Sequence, residues 1–206
     1  VKVWSQFFSD ILIDVPGCPD PTVERGLLRA AQAFCIGTQV WKLWLENITT
    51  QANVTEYDFE LEPKSELVKL ERATLDGRSL LITTPQSLPD DWRTNSAGLA
   101  DCIFTSDRKT LTLLPTKVAG LVLRVEAVLK PSNSATGVED FIFDQYGEVI
   151  AMGALARLLQ QSNTPYSNPA KGLALDERFK ESIAAVGFQH WRAFSSARPR
   201  SRLSTF

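Results

Sequence analysis

Histidine is nearly absent from this chain: His190 stands alone in 206 residues. A hydrolytic triad would have to hang on that one imidazole, and no GxSxG nucleophile elbow accompanies it. A zinc site is equally short of donors, because Cys18, Cys35 and Cys102 are far apart and show no CxxC spacing. Three cysteines without a pairing pattern read as reduced, mostly buried thiols. No glycine-rich phosphate loop occurs. The expectation is a protein that is not an enzyme and holds no cofactor and no metal. Long apolar runs are missing too: nothing approaches the roughly 18 residues that a membrane span needs. Val1 to Phe8 lacks the basic-then-apolar layout of a signal peptide. The chain opens on Val, as one does after loss of an initiator Met, so synthesis in the cytoplasm is expected.

What is present is an ordinary globular composition with uneven charge. Through His190 there are 24 acidic and 18 basic residues, a net of −6, whereas from Trp191 onward there are four arginines and no acid. An acidic body with a basic end suggests that the end meets an acidic partner or nucleic acid. Aromatic residues do not interleave with those arginines, as single-strand binding would require.

Periodicity divides the chain in three. Ser5 to Ile13 spaces Phe7, Phe8, Ile11 and Leu12 as a short apolar helix before Val15-Pro16-Gly17-Cys18-Pro19 breaks it. Asp20-Pro21 is a helix start, with the carboxylate as cap and Pro in the first turn. The helix should run to about Trp41 on an apolar face of Val23, Leu27, Ala30, Ala31, Phe34 and Cys35. From about Trp44 to Lys130 the period drops to two. Asp76-Gly77 marks a tight turn, Ser106 to Lys109 the loop of a hairpin, and Leu121 to Val128 a last strand closed by Pro131. Pro85 to Gly98 is a long loop whose Trp92 either plugs the sheet or makes contacts. Trp41 and Trp44 read as core or domain-junction residues. About six short strands suffice for a small antiparallel sandwich or barrel.

Helical spacing then returns. Val138 to Gln161 carries large apolar residues at intervals of three and four, interrupted by Ala151, Gly153, Ala154 and Ala156. Small residues let neighbouring backbones come close. A helix apolar on most of its circumference packs inside a bundle or against other subunits in an assembly, and Ala151, Gly153, Ala154, Leu155 and Leu158 are its expected packing surface. Glu139-Asp140 opens this helix, where negative charge is favoured. Asp90-Asp91 sits in the long loop, and both acid pairs read as structural. Asn168-Pro169 starts a final helix to about Phe194, on which His190 is a face or interface residue. Ser195 to Phe206 has no period and reads as an extended tail. The expected fold class is α+β: a helical bundle core from both chain ends (1–44 and 132–194), an inserted β domain (45–131) and the tail (195–206).

Two stretches are familiar. VPGCPDPTVERGLLRAAQAFCIGTQVW, Val15 to Trp41, resembles the opening helix of the head-to-tail connector, or adaptor, proteins of tailed bacteriophages. Gly153-Ala154-Leu155-Ala156-Arg157-Leu158-Leu159 and Pro165-Tyr166-Ser167-Asn168-Pro169, within Ile150 to Val186, resemble the same family. The resemblance implies a virion structural protein at the capsid–tail junction. It implies a ring of subunits, commonly a dodecamer, beneath the portal protein. Such a ring extends the DNA channel, helps retain the genome and offers a surface to tail or neck proteins. Packaged DNA would pass without sequence-specific binding, and no membrane is involved. In that setting the tail would clasp the portal, with Arg198, Arg200 and Arg202 pairing carboxylates and Leu203 and Phe206 as apolar anchors. Two other readings stay open. One is a tail-completion or neck component one layer below; the other is a monomeric binding module whose basic tail contacts nucleic acid.

Overall fold

The computed structural model describes residues 1–93, 101–114 and 119–191, apart from the side chain of Trp191. The fold is mixed α and β. The chain divides into two compact units: Val1–Val40 together with the chain from Ala135 onward, and Trp41–Ser134 between them.

In the first unit, strand β1 (Lys2–Val3) pairs antiparallel with β11 (Gly137–Val138) and ties together the two ends of its discontinuous chain. Trp4 Nε1 reinforces that tie by donating to Ala135 O at 2.9 Å. The expected short helix is a 3-10 turn, Trp4–Phe7, running into α1, Phe8–Ile11. Helix α2 spans Asp20–Thr38 and buries all six residues of its expected apolar face. Its N-cap is Pro19, not Asp20, and no side chain caps it. Asp20 is instead the first helical residue, where its charge still favours the positive end of the dipole. The helix stops short of Trp41 because Gln39 turns left-handed (φ +55°) and its amide donates to Cys35 O at 2.9 Å.

Helix α3, Asp140–Leu159, and helix α4, Pro169–Trp191, follow one another and pack together with α2. At the start of α4 the Asn168 carboxamide oxygen accepts from the Lys171 amide at 3.1 Å, a side-chain cap. Glycines set the spacing of these helices. A Cβ on Gly153 would stand 2.7 Å from two ring atoms of Phe179. One on Gly187 would stand 3.3 Å from Gly37 O, and one on Gly37 would overlap Ile183. Where α3 meets α4 and where α2 meets α4, the close approach depends on the missing methyl group.

The second unit holds two open sheets. In one, the order is β2 (Lys42–Trp44), β10 (Val122–Pro131), β5 (Ser65–Leu75) and β6 (Arg78–Ser79), with β3 (Ile48–Thr49) also on β10. In the other it is β4 (Glu56–Asp58), β9 (Thr110–Leu114), β8 (Cys102–Phe104) and β7 (Leu81–Ile82). Neither closes into a barrel among the described residues, which removes that half of the expected sandwich-or-barrel architecture. The pairing is antiparallel except between β7 and β8, which run parallel.

Alternation fails in β5, and the register shows why. Leu67, Leu70 and Ala73 are buried, a spacing of three rather than two. Opposite β10, the register shifts between Glu126 and Ala127 and again between Val128 and Leu129, leaving Glu71 and Val68 without a direct partner. Each extra residue is a bulge that returns the next buried side chain to the same face. The same shifts bury Ala127, Val128 and Leu129 in succession. The Asp76-Gly77 turn joins β5 to β6 with both residues at positive φ, +51° and +82°, as a type I′ hairpin requires.

Trp92 is the plug of its loop. It packs edge-on against Phe104 with ring centroids 5.4 Å apart, beside Cys102, Leu114 and Leu88. Trp41 is buried. Trp44, expected as a core or junction residue, is 40% exposed, with the Arg124 guanidinium 5.2 Å over its ring.

Candidate assembly surfaces

The small-residue stretch of α3 is packed within its own chain. Ala151, Gly153, Ala154, Leu155 and Leu158 are all buried. Gly153 meets Phe179 of α4, and Leu158 with Ala154 lies beside Gly26 of α2 at ordinary contact distance. Gly153 and Ala154 are thus taken up within the subunit, whereas Ala151 and Leu155 also line one surface cleft and Leu158 another. The tail residues Arg198, Arg200, Arg202, Leu203 and Phe206 lie outside the described residues, as does the expected end of the last helix.

Ionisable side chains show structural environments. His190 Nε2 is 3.2 Å from the Tyr146 hydroxyl, a link from α4 to α3, and burial pushes the Tyr146 phenol up from its ordinary value. Burial drives the Cys35 thiol up to about 12, which leaves it a protonated core residue and not a nucleophile at neutral pH. Cys102 is raised for the same reason. Cys18 Sγ donates to the Tyr166 hydroxyl at 3.3 Å, and all three cysteines are free and buried. Among the described residues no group of three His, Cys, Asp or Glu could hold a metal ion. Glu139 is the N-cap residue of α3 without a side-chain cap bond, and Asp140 is in the first turn.

Three clefts are lined entirely by described residues. Arg25 and Arg29 of α2 and Arg157 of α3 line a cleft of about 430 Å³ with Thr22, Leu158 and Gln161. A shallower cleft of about 280 Å³ is rimmed by Asp10 and Glu148 over Met152, Leu155 and Leu175. In the β unit, a third of about 400 Å³ runs beside β5 and β8, between Leu67, Leu70, Ile82, Phe104 and Arg108. None of the three was anticipated from the sequence. The four-residue spacing of Arg25 and Arg29 was visible, but nothing local brings Arg157 to them. Clefts of exposed arginine or of acid over apolar floor suit protein or polyanion contact and lack the convergent catalytic groups of an active site.

No curated protein matches the chain. The model of one family does, over residues 6–202, and its description is SU10 adaptor protein. The match takes in both helical stretches, the β unit between them and most of the basic end. A match of that extent shows the family: the chain belongs to the SU10 adaptor proteins, structural adaptors of phage particles and not enzymes.

Proposed function

We propose that this chain is a head-to-tail adaptor whose copies close into a ring, dodecameric as in the connectors it resembles, between the portal and the tail. The ring extends the DNA channel, helps retain the packaged genome and presents a surface to tail or neck proteins. The observation that carries this reading is the adaptor-family match along nearly the whole chain.

Physical features support it. A ring subunit needs a rigid body, and helices held at glycine contacts form one. In this reading the helical bundle core (1–44 and 132–194) is the ring body and the β insertion (45–131) a separate contact domain. Ala151, Gly153, Ala154, Leu155 and Leu158 organise the bundle that presents mating faces to neighbouring copies. An end that orders on docking lays down contact area, with its ordering entropy met at that moment. Arg198, Arg200 and Arg202 pair with portal carboxylates, and Leu203 and Phe206 anchor the segment. An acidic body repels the DNA that slides past it.

The test is mass and attachment. The purified chain, offered portal rings, should be captured as a many-copy ring. Deleting residues 195–206 should leave the helical signal unchanged and abolish capture. Capture that survives the deletion removes the tail from the mechanism. A reconstruction of the particle neck without a closed ring of this chain overturns the reading.

A further inference from the structure

Arg25 and Arg29 stand one turn apart on α2 and are exposed, as is Arg157 in the last turn of α3. The cleft they share holds three positive charges. Among the described residues none of the three forms an ion pair with a carboxylate. Like charges gathered without a partner repel one another, which disfavours the arrangement unless an anion completes it.

The complement is on the same unit. Glu148 and Arg157 are nine residues apart on α3, about 900° of rotation at roughly 100° per residue, which puts them on opposite sides of the helix. On the Glu148 side, Asp10 and Glu148 rim the cleft floored by Met152, Leu155 and Leu175. Asp144, one turn before Glu148, is exposed and adds a further charge, and Phe141, two turns before, is 39% exposed.

We propose that these two faces mate between copies, the arginine cleft of one chain receiving the acid-rimmed face of the next. The inference rests on the ring reading above and names the surface that closes the ring. The placement also decides the symmetry. A two-fold dimer through the arginine cleft would set three arginines against three, whereas faces of opposite charge on opposite sides of a helix pair head to tail. Head-to-tail pairing repeats around a circle. Pairing charge with charge chooses register and partner more than it adds affinity, which suits an assembly that must reject other orientations.

The test is reciprocal charge reversal in the full chain. One set carries Arg25→Glu, Arg29→Glu and Arg157→Glu; the other carries Asp144→Lys and Glu148→Lys. All five positions are exposed, and circular dichroism checks the fold. Self-association is read by analytical ultracentrifugation, alone and on portal rings. Each set by itself should associate about 100-fold more weakly than the parent chain, because the reversed charges then face charges of their own sign. An equimolar mixture of the two sets should regain the parent mass, since alternating copies restore every contact. A single chain with both sets should do the same. If the parent forms rings and each set forms them equally well, this surface is not the interface and the ring reading stands. If reversal of the arginines instead removes binding to duplex DNA while rings persist, the cleft serves phosphate and the inference is overturned. A parent chain that forms no ring on any portal takes down the ring reading, and this interface with it.

Discussion

Gly153 offers the sharpest test of how the helices are held. A methyl group at that position would lie 2.7 Å from Cε2 and Cζ of Phe179 and 2.9 Å from Cδ2. Those contacts are with the body of an aromatic ring that is only 3% exposed, so the ring cannot swing into solvent to make room. Overpacking of this kind costs about 1–3 kcal/mol. Replacing Gly by Ala inside a helix returns about 1 kcal/mol of propensity. The net for Gly153→Ala is then a loss of up to about 2 kcal/mol. Gly147, on the same helix, supplies the control, since a Cβ there meets Phe7 and Phe143 at 3.7 and 3.8 Å, ordinary contact. Gly147→Ala should gain up to about 1 kcal/mol. Because both substitutions share the propensity term, their difference isolates the overpacking, about 1–3 kcal/mol. Urea unfolding followed by helical circular dichroism reads it on the helical unit. Equal midpoints for the two variants would refute the claim that the missing methyl sets the approach of α3 to α4.

Further consequences are open to direct measurement. Ellman's reagent should find no fast-reacting thiol in the native protein and three after denaturation, since Cys18, Cys35 and Cys102 are all free and buried. Tyr166→Phe removes a hydroxyl that accepts from Cys18 Sγ at 3.3 Å and donates to Gln161 Oε1 at 3.2 Å, and should cost about 1 kcal/mol in thermal or urea unfolding. Hydrogen bonds from Lys69 and Lys42 hold the Glu71 carboxyl below its ordinary value of 4.5. A depressed carboxylate stabilises the fold above its unfolded pKa and loses that contribution as pH falls through the folded one. Glu71→Gln should therefore cost under about 1 kcal/mol at pH 7 and have no effect at pH values well below 4.5, read from urea midpoints across pH.

Much of the fold was legible in residue spacing. The apolar stripe of α2 from Val23 to Cys35 is buried as its period required, and the mixed α and β character follows from the change of period near Trp44. The Asp76-Gly77 turn and the β8–β9 hairpin were local signals and are local structures. What could not be read was set by tertiary pairing. The three-residue burial period of β5 exists only because β10 fixes the register, and no composition marks a bulge. The parallel β7–β8 pair joins strands of two and three residues across a long connection, too short to carry a period of their own. Trp44 is exposed rather than core because an apolar ring over a pleated sheet is also a good platform for an exposed arginine. The arginine cleft needed two helices distant in sequence.

That cleft and the residues that made the family recognisable have one origin. Val15 to Pro19 and Pro165 to Pro169 are the loops that enter α2 and α4, and they touch where Cys18 meets Tyr166. Each loop delivers a proline at the start of its helix, so the contact between them fixes where two helices begin, and the α4 entry is tied to α3 through the Asn168 amide on Leu159 O at 2.9 Å. Gln161 accepts from Tyr166 on one side and lines the arginine cleft on the other. Arg25 and Arg29 follow the first loop within two or three turns, and Arg157 precedes the second. The loop residues that resemble the family are thus the ones that tie the entries of α2 and α4 to the end of α3 beside the cleft. A motif of this kind carries no chemistry of its own. It places charges contributed by separate helices side by side on one surface.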